Sequence, residues 1–229
     1  HTKSGKRSVR EIVGHTDVVS EIDFHSDGKT MLTDSWDGSA RTWDVNTGMM
    51  IEKYKTSRPL YTGLFSEQQK MVLVAGESQE IQLLNESDLQ LRQSLKGHQS
   101  DIVTIQVNEA AGLMVSNSLD GATKIWDLDK KKEFFEHIHI GKNDWMVKSK
   151  QGYFNATEGA RRVIHFVKGN KTYSADQFFD DFYRPDLIPD LFSVRGGNNQ
   201  REGLLQKIDK FPPPEVKLAL KPSEDLTKS

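Results

Sequence analysis

Short apolar–polar alternations broken by turn residues run through the first 140 positions, and they predict strands rather than helices. Val18, Ser20, Ile22 and Phe24 interleave with Val19, Glu21 and Asp23, and Ile102, Ile105 and Val107 set the same rhythm further on. Ser26-Asp27-Gly28-Lys29 has the Asp-Gly chemistry of a tight hairpin. Asn46-Thr47-Gly48 and residues 127–131 predict further turns, after which 49–54 and 133–140 read as outer strands. Residues 8–13 predict one more outer strand, left by a preceding sheet. The character changes after Gly169. Ser174-Ala175-Asp176-Gln177 is a capping box that opens a predicted helix through Tyr183, with Phe178, Phe179 and Phe182 at helical spacing and Pro185 ending it. Residues 202–210 predict a second short helix, Phe211-Pro212-Pro213-Pro214 a stiff linker, and 216–220 the first strand of a further domain.

The strands belong to a repeat. Gly14-His15 leads to Ser35-Trp36-Asp37-Gly38 and Trp43-Asp44; Gly97-His98 leads to Ser118-Leu119-Asp120-Gly121 and Trp126-Asp127. In both copies His and Asp are 22 residues apart and Asp and Trp 6, and the copies are offset by 83. Half that offset falls in the ~40–45 residues of a four-stranded propeller blade with a Gly-His and Trp-Asp signature. The chain therefore resembles the WD-repeat β-propellers. A middle copy fits the same step, with Thr56, Gly76, Ser78 and Leu84 at the four signature positions, which predicts a looser turn there. Another step lands on 145–148, 153–157 and 162–167, read as a divergent fourth blade with Glu158-Gly159-Ala160 as a hairpin turn. The expected fold class is all-β: a partial WD-repeat propeller of about four blades over residues 8–169, a short helical extension over 170–210, then linker and a further domain's start over 211–229.

His15, Ser35 and Asp37 have the makings of a Ser-His-Asp nucleophile set. Their recurrence as His98, Ser118 and Asp120 argues for a structural role, because one active site would not be copied at blade period. The resemblance implies a hydrogen-bonded relay in each blade: His15, Ser35, Asp37 and Trp43 in one, His98, Ser118, Asp120 and Trp126 in the other. Buried polar groups of this kind are stable only when all are paired. Trp36 lies between relay Ser and Asp, in a turn that the resemblance puts on a partner-binding face; it either packs on a neighbouring blade or anchors a partner. Asp17, Asp101 and Leu119 are candidates for the same rim.

Composition narrows the chemistry. With no cysteine there is no disulfide, thiolate metal site or cysteine nucleophile in these 229 residues. A formal charge of −2, from 31 basic and 33 acidic residues, gives no global field for nucleic acid. No apolar run approaches the ~20 residues of a membrane helix. His137 and His139 share a strand face but lack the carboxylates to complete a metal site, and Arg161, Arg162 and Lys168 lack the interleaved aromatics of a nucleic-acid patch. No catalytic residue, cofactor or metal is expected. The opening at His1 without Met reads as a piece of a longer protein, so the N-terminus does not give the compartment; a cytoplasmic location is the expectation.

The tail carries a second resemblance. Asp144-Trp145-Met146-Val147, Gly152-Tyr153-Phe154-Asn155-Ala156-Thr157, Phe182-Tyr183-Arg184-Pro185-Asp186-Leu187 and Pro213-Pro214 are similar to the segment that follows WD repeats in large bacterial proteins with a caspase-like peptidase domain. That likeness implies an accessory, non-catalytic region of such a protease. A free-standing WD-repeat scaffold is the alternative, and a hydrolase the remote one. Either way the partners expected are proteins: missing blades of the same parent, a second copy, or a client.

Overall fold

The structure, a computed structural model, describes residues 11–150, 153–168, 171–174, 182–186 and 217–220. The chain divides into two compact units: residues up to Asp120 together with Asp127–Lys132, and Gly121–Trp126 with the chain from Glu133 onward.

The first unit opens with two four-stranded antiparallel meanders. One is β1 (Val19–Phe24), β2 (Thr30–Ser35), β3 (Ser39–Asp44) and β4 (Met50–Lys55); the other is β5 (Leu60–Ser66), β6 (Met71–Gly76), β7 (Glu80–Asn85) and β8 (Leu91–Lys96). A third copy begins with the hairpin β9 (Ile102–Asn108) and β10 (Leu113–Ser118). The Asp27 carboxylate makes the first turn by accepting from the Lys29 and Thr30 amides, which holds its pKa down at about 2, and Gly28 takes the positive φ the turn needs. Residues 11–13 form no strand, and residues 8–10 of that expected strand lie outside the described residues.

The first two sheets meet on an apolar core. Leu32 and Ala40 pack against Leu60, Phe65, Val72, Val74, Leu84 and Leu89, while β6 is buried along its whole length. A strand buried on both faces has no use for polar alternation, and Met71–Gly76 accordingly reads as one apolar run. Polar groups stitch the same seam. Glu21 Oε2 accepts from the Gly63 amide at 3.1 Å, Asp23 Oδ2 from the Phe65 amide at 2.8 Å, and the Ser20 hydroxyl donates to the Leu60 carbonyl at 2.9 Å. Asp34 is fully buried between them, and neither carboxyl oxygen has a hydrogen-bond partner. It lies so close to Gly63 that a Cβ there would stand 2.1 Å from Oδ2. Burial, followed by the Glu21 and Asp23 charges, raises its pKa well above the usual carboxylate range.

Each copy also carries a bulge near the start of its first hairpin. The register skips between Val19 and Glu21, between Leu60 and Thr62, and between Ile102 and Thr104. Ser20, Tyr61 and Val103 are thereby left out of the ladder and re-aimed.

In the second unit β11 (Ala122–Asp127), β12 (Lys132–Ile140), β13 (Asp144–Ser149) and β14 (Phe154–Ala156) lie side by side in one sheet. A charge ladder crosses three of them: Lys124 Nζ meets Glu133 and Glu136 at 3.1 Å each, and Lys148 Nζ meets Glu136 at 2.9 Å. Burial opposes ionisation of Glu136, but the Lys148 and Lys124 ammoniums outweigh it and lower its pKa.

The expected fourth blade does not form as a separate sheet. Residues 145–148 and 153–157 make β13 and β14, which extend the sheet of β12, and the Glu158-Gly159-Ala160 "turn" is the start of α1 (Glu158–Val163). Thr157 explains the helix: its side chain accepts from the Ala160 amide as an N-cap and donates to Asp144 Oδ1 at 2.7 Å. Gly159 permits that docking, since a Cβ there would be 2.3 Å from Asp144 Oδ2. Beyond α1, β15 (Ile164–Lys168) pairs antiparallel with β16 (Lys171–Ser174) and with β17 (Lys217–Leu220). The strand expected to begin a further domain therefore belongs to this unit's own sheet. Ser174, expected as a helix cap, ends β16, and most of the predicted 174–183 helix, the 202–210 helix and the 211–214 linker lie outside the described residues. Met146, Phe154, Ala156, Ala160 and Ile164 form the core here, with Ile140, Phe182 and Tyr183 packed against it.

Candidate protein-docking face

The polar signature of the first sheet forms a continuous chain of hydrogen bonds. His15 Nδ1–H donates to Asp37 Oδ2 at 3.0 Å, and the Thr33 hydroxyl donates to His15 Nε2 at 2.7 Å. The Trp43 indole N–H completes it by donating to Thr33 Oγ1 at 2.8 Å. Asp37 also accepts from the Thr16 amide, from the Ser39 amide and from the Ser39 hydroxyl at 2.6 Å. Burial works against the Asp37 charge, but these donors and His15 win, and its pKa falls below the usual range. Desolvation lowers the pKa of His15, so the imidazole is neutral at pH 7 and the tautomer follows from the bonds above.

The hydroxyl in this relay is Thr33, not the expected Ser35. Ser35 instead donates to the Asp17 carbonyl at 3.3 Å and accepts from the Asp37 amide at 3.0 Å, tying the turn to the loop before β1. The second copy of the motif repeats the correction. His98 Nδ1 meets Asp120 Oδ2 at 3.1 Å and His98 Nε2 meets Ser116 Oγ at 2.7 Å, whereas Ser118 donates to the Ser100 carbonyl. Ser35 and Thr33, like Ser118 and Ser116, are two apart on one strand face, so sequence alone did not separate them. Strand register does: Thr33 stands opposite Arg41, two positions from Trp43, while Ser35 is at the strand's end. Trp126 is buried like Trp43. Hydroxyl, imidazole and carboxylate do line up here as in a hydrolase, but Thr33, Ser116 and His98 are buried, and Thr33 Oγ1 already holds the indole proton. A substrate carbonyl has no approach to such a hydroxyl.

The relay holds the β2–β3 turn rigidly and pushes Trp36 outward. Its amide donates to the Val18 carbonyl at 2.9 Å while 49% of the residue stays exposed. Leu119 repeats the geometry: its amide donates to the Asp101 carbonyl at 2.9 Å, and it is 66% exposed. Trp36 meets the next sheet through Tyr61, ring edge to face with centroids 6.2 Å apart. The Tyr61 hydroxyl in turn reaches Asp101 Oδ2 at 3.5 Å. Burial, then the carboxylates of Asp101 and Glu77, raise the Tyr61 pKa. Asp17 is exposed beside this rim and caps the Val18 amide with Oδ1 at 2.8 Å. So Trp36, Asp17, Asp101 and Leu119 come together along one rim, joined by Tyr61 and Glu77, which sequence reasoning passed over. The bulge that re-aims Tyr61 is the missed signal: it breaks the alternation at the strand's second residue.

No group of three or more metal-ligating side chains occurs among the described residues, and His137 stacks on Trp145 and packs against His139. Among the described residues no helix is long and apolar enough to cross a membrane.

The repeats are recognisable by comparison. The model of the WD domain, G-beta repeat, matches residues 6–44 and 89–127. Periodic tryptophan protein 2 of Arabidopsis thaliana is 28% identical over 131 residues, covering 55% of this chain and 15% of that protein. A ribosome biogenesis protein WDR12 homolog of Drosophila erecta is 25% identical over 180 residues, covering 76% of this chain and 43% of that protein. The chain thus spans less than half the length of these curated relatives. Among solved structures, those of U3-55K and of the RRP9 WD40 repeats each superpose with a TM-score of 0.53 at 14% identity, over 64% of this chain and 50% of theirs. The repeats matched at 6–44 and 89–127, the buried relays and the antiparallel four-stranded sheets agree: the fold is all-β, of the WD-repeat β-propeller class.

Proposed function

We propose that the chain is a non-catalytic, free-standing WD-repeat scaffold that docks protein partners on the rim built from Trp36, Tyr61, Asp101 and Leu119. The carrying observation is Trp36, half exposed in a turn whose every neighbour is tied down by hydrogen bonds. A rigid aromatic held out to solvent is poor for stability and good for an interface anchor. Relatives named for ribosome biogenesis favour a multiprotein assembly as the setting, with further blades supplied by the same protein or by a second copy. The reading as an accessory region of a caspase-like protease finds no support in these relatives, which are eukaryotic proteins of other names.

The test compares proteins captured from source cells by the wild type, by a Trp36→Ala/Leu119→Ala variant and by a Lys130→Ala control. The rim variant should lose partners that the control keeps, at unchanged melting temperature. Equal recovery by all three overturns the proposal.

A further inference from the structure

We propose that the occupant of this rim is a cationic protein segment, with an arginine or lysine side chain seated against Trp36 and Tyr61 and paired with Asp101 and Asp17; this rests on the docking reading and names its partner chemistry. Three features meet here. First, the Trp36–Tyr61 pair leaves π surface open to solvent, and ring faces attract guanidinium and ammonium groups. Second, carboxylates lie along the same rim: Asp17 precedes Val18, whose carbonyl takes the Trp36 amide, Asp101 meets the Tyr61 hydroxyl and its carbonyl takes the Leu119 amide, and Glu77 is near enough to act on the same hydroxyl. Third, the local cations are already engaged. Arg58 pairs with Glu77 at 3.6 Å, and the Lys55 ammonium donates to the Asp37 carbonyl. Among the described residues Asp17 and Asp101 have no cationic partner, so a basic side chain supplied from outside would complete them.

The sign of this charge argues against RNA. A nucleic acid binder places lysine and arginine against phosphates, whereas here phosphates would meet the carboxylates of Asp17 and Asp101, unpaired with any cation among the described residues. The mismatch at Leu119 adds a constraint: the third copy offers a flat apolar contact where the first offers a ring, so the segment has one cationic anchor site, next to Trp36, with an apolar neighbour towards Leu119.

Fluorescence anisotropy on the intact protein carrying this chain tests it, with a labelled decapeptide containing arginine and lysine, its glutamate-substituted twin, and a uridine decamer. The basic peptide should bind, the acidic twin should not, and binding should weaken as salt rises from about 0.05 to about 0.3 M. Trp36→Leu keeps the bulk that the third copy tolerates at this turn and removes only the ring; it should weaken binding roughly 3- to 10-fold, as should Asp101→Asn, while Asp129→Asn changes nothing. Basic-peptide binding unaffected by both rim variants overturns the inference, and so does uridine binding that depends on Trp36. Loss of natural partners by the Trp36→Ala/Leu119→Ala protein without any basic-peptide binding would leave the docking reading standing and sink this one alone.

Discussion

At single residues the fold holds two buried carboxyls with opposite habits. Asp37 is saturated with donors and ionised; Asp34 has none and is held neutral by its surroundings. In the unfolded chain Asp34 ionises near pH 4, so above that pH the folded state binds the extra proton, and stability contributed by the neutral form is lost as pH rises through the raised folded value. That single group costs about 1.4 kcal/mol per pH unit across the window. Asp34→Asn should flatten this slope in urea titrations and stabilise the protein at pH 8; an unchanged slope would show that the seam solvates Asp34. His15 works in the other direction. Its folded pKa is depressed, so the unfolded chain takes up a proton first and stability declines below about pH 6.5. The relay assignment is open to a direct contrast. Thr33→Val strands His15 Nε2 and the Trp43 indole N–H and should cost about 1–3 kcal/mol, measured by denaturant midpoint, whereas Ser35→Ala loosens only a turn and should cost about 1 kcal/mol or less.

Among the elements, α1 owes its existence to one side chain. Thr157 caps the helix, receives the Trp145 amide at 3.2 Å and donates to Asp144. Thr157→Ala should cost about 1–2 kcal/mol by thermal unfolding, and Thr157→Ser should restore most of it. The strands themselves were legible in the sequence because period-two alternation and Asp-Gly turns are local signals, and the 83-residue offset fixed which strands repeat. The same reasoning misread residues 158–163, because Gly159 looks like a turn former and its real role, close approach to Asp144, depends on a partner in another strand. It misplaced the relay hydroxyl for a related reason: Thr33 against Ser35 is a question of register, and register is set across strands. It missed Asp34, a polar residue in a run that otherwise reads as ordinary strand. Trp36 was visible because a tryptophan in a tight turn has no local explanation.

At the scale of the molecule, β2 and β3 of the first sheet are buried along nearly their whole length, but β1 leaves one face open among the described residues. Glu21 and Asp23 point to the second sheet, so the alternate residues Ile22 and Phe24 face the other way, and they are 54% and 61% exposed. Met49, Met50 and Ile51 are exposed on β4 and the turn before it. Scattered apolar residues on a surface need no explanation, but two neighbours on one strand face at this exposure favour burial against another sheet. The superposed WD40 structures are twice as long as the part this chain covers, which makes a further blade the natural cover. For residues 1–229 on their own, a second copy of the chain offers an apolar cover. Residues 1–229 alone should therefore self-associate with rising concentration in analytical ultracentrifugation, and Ile22→Lys/Phe24→Lys should return them to a monomer without lowering the melting temperature, since neither side chain supports the core. A wild-type chain that stays monomeric at high concentration would mean that this face needs no cover.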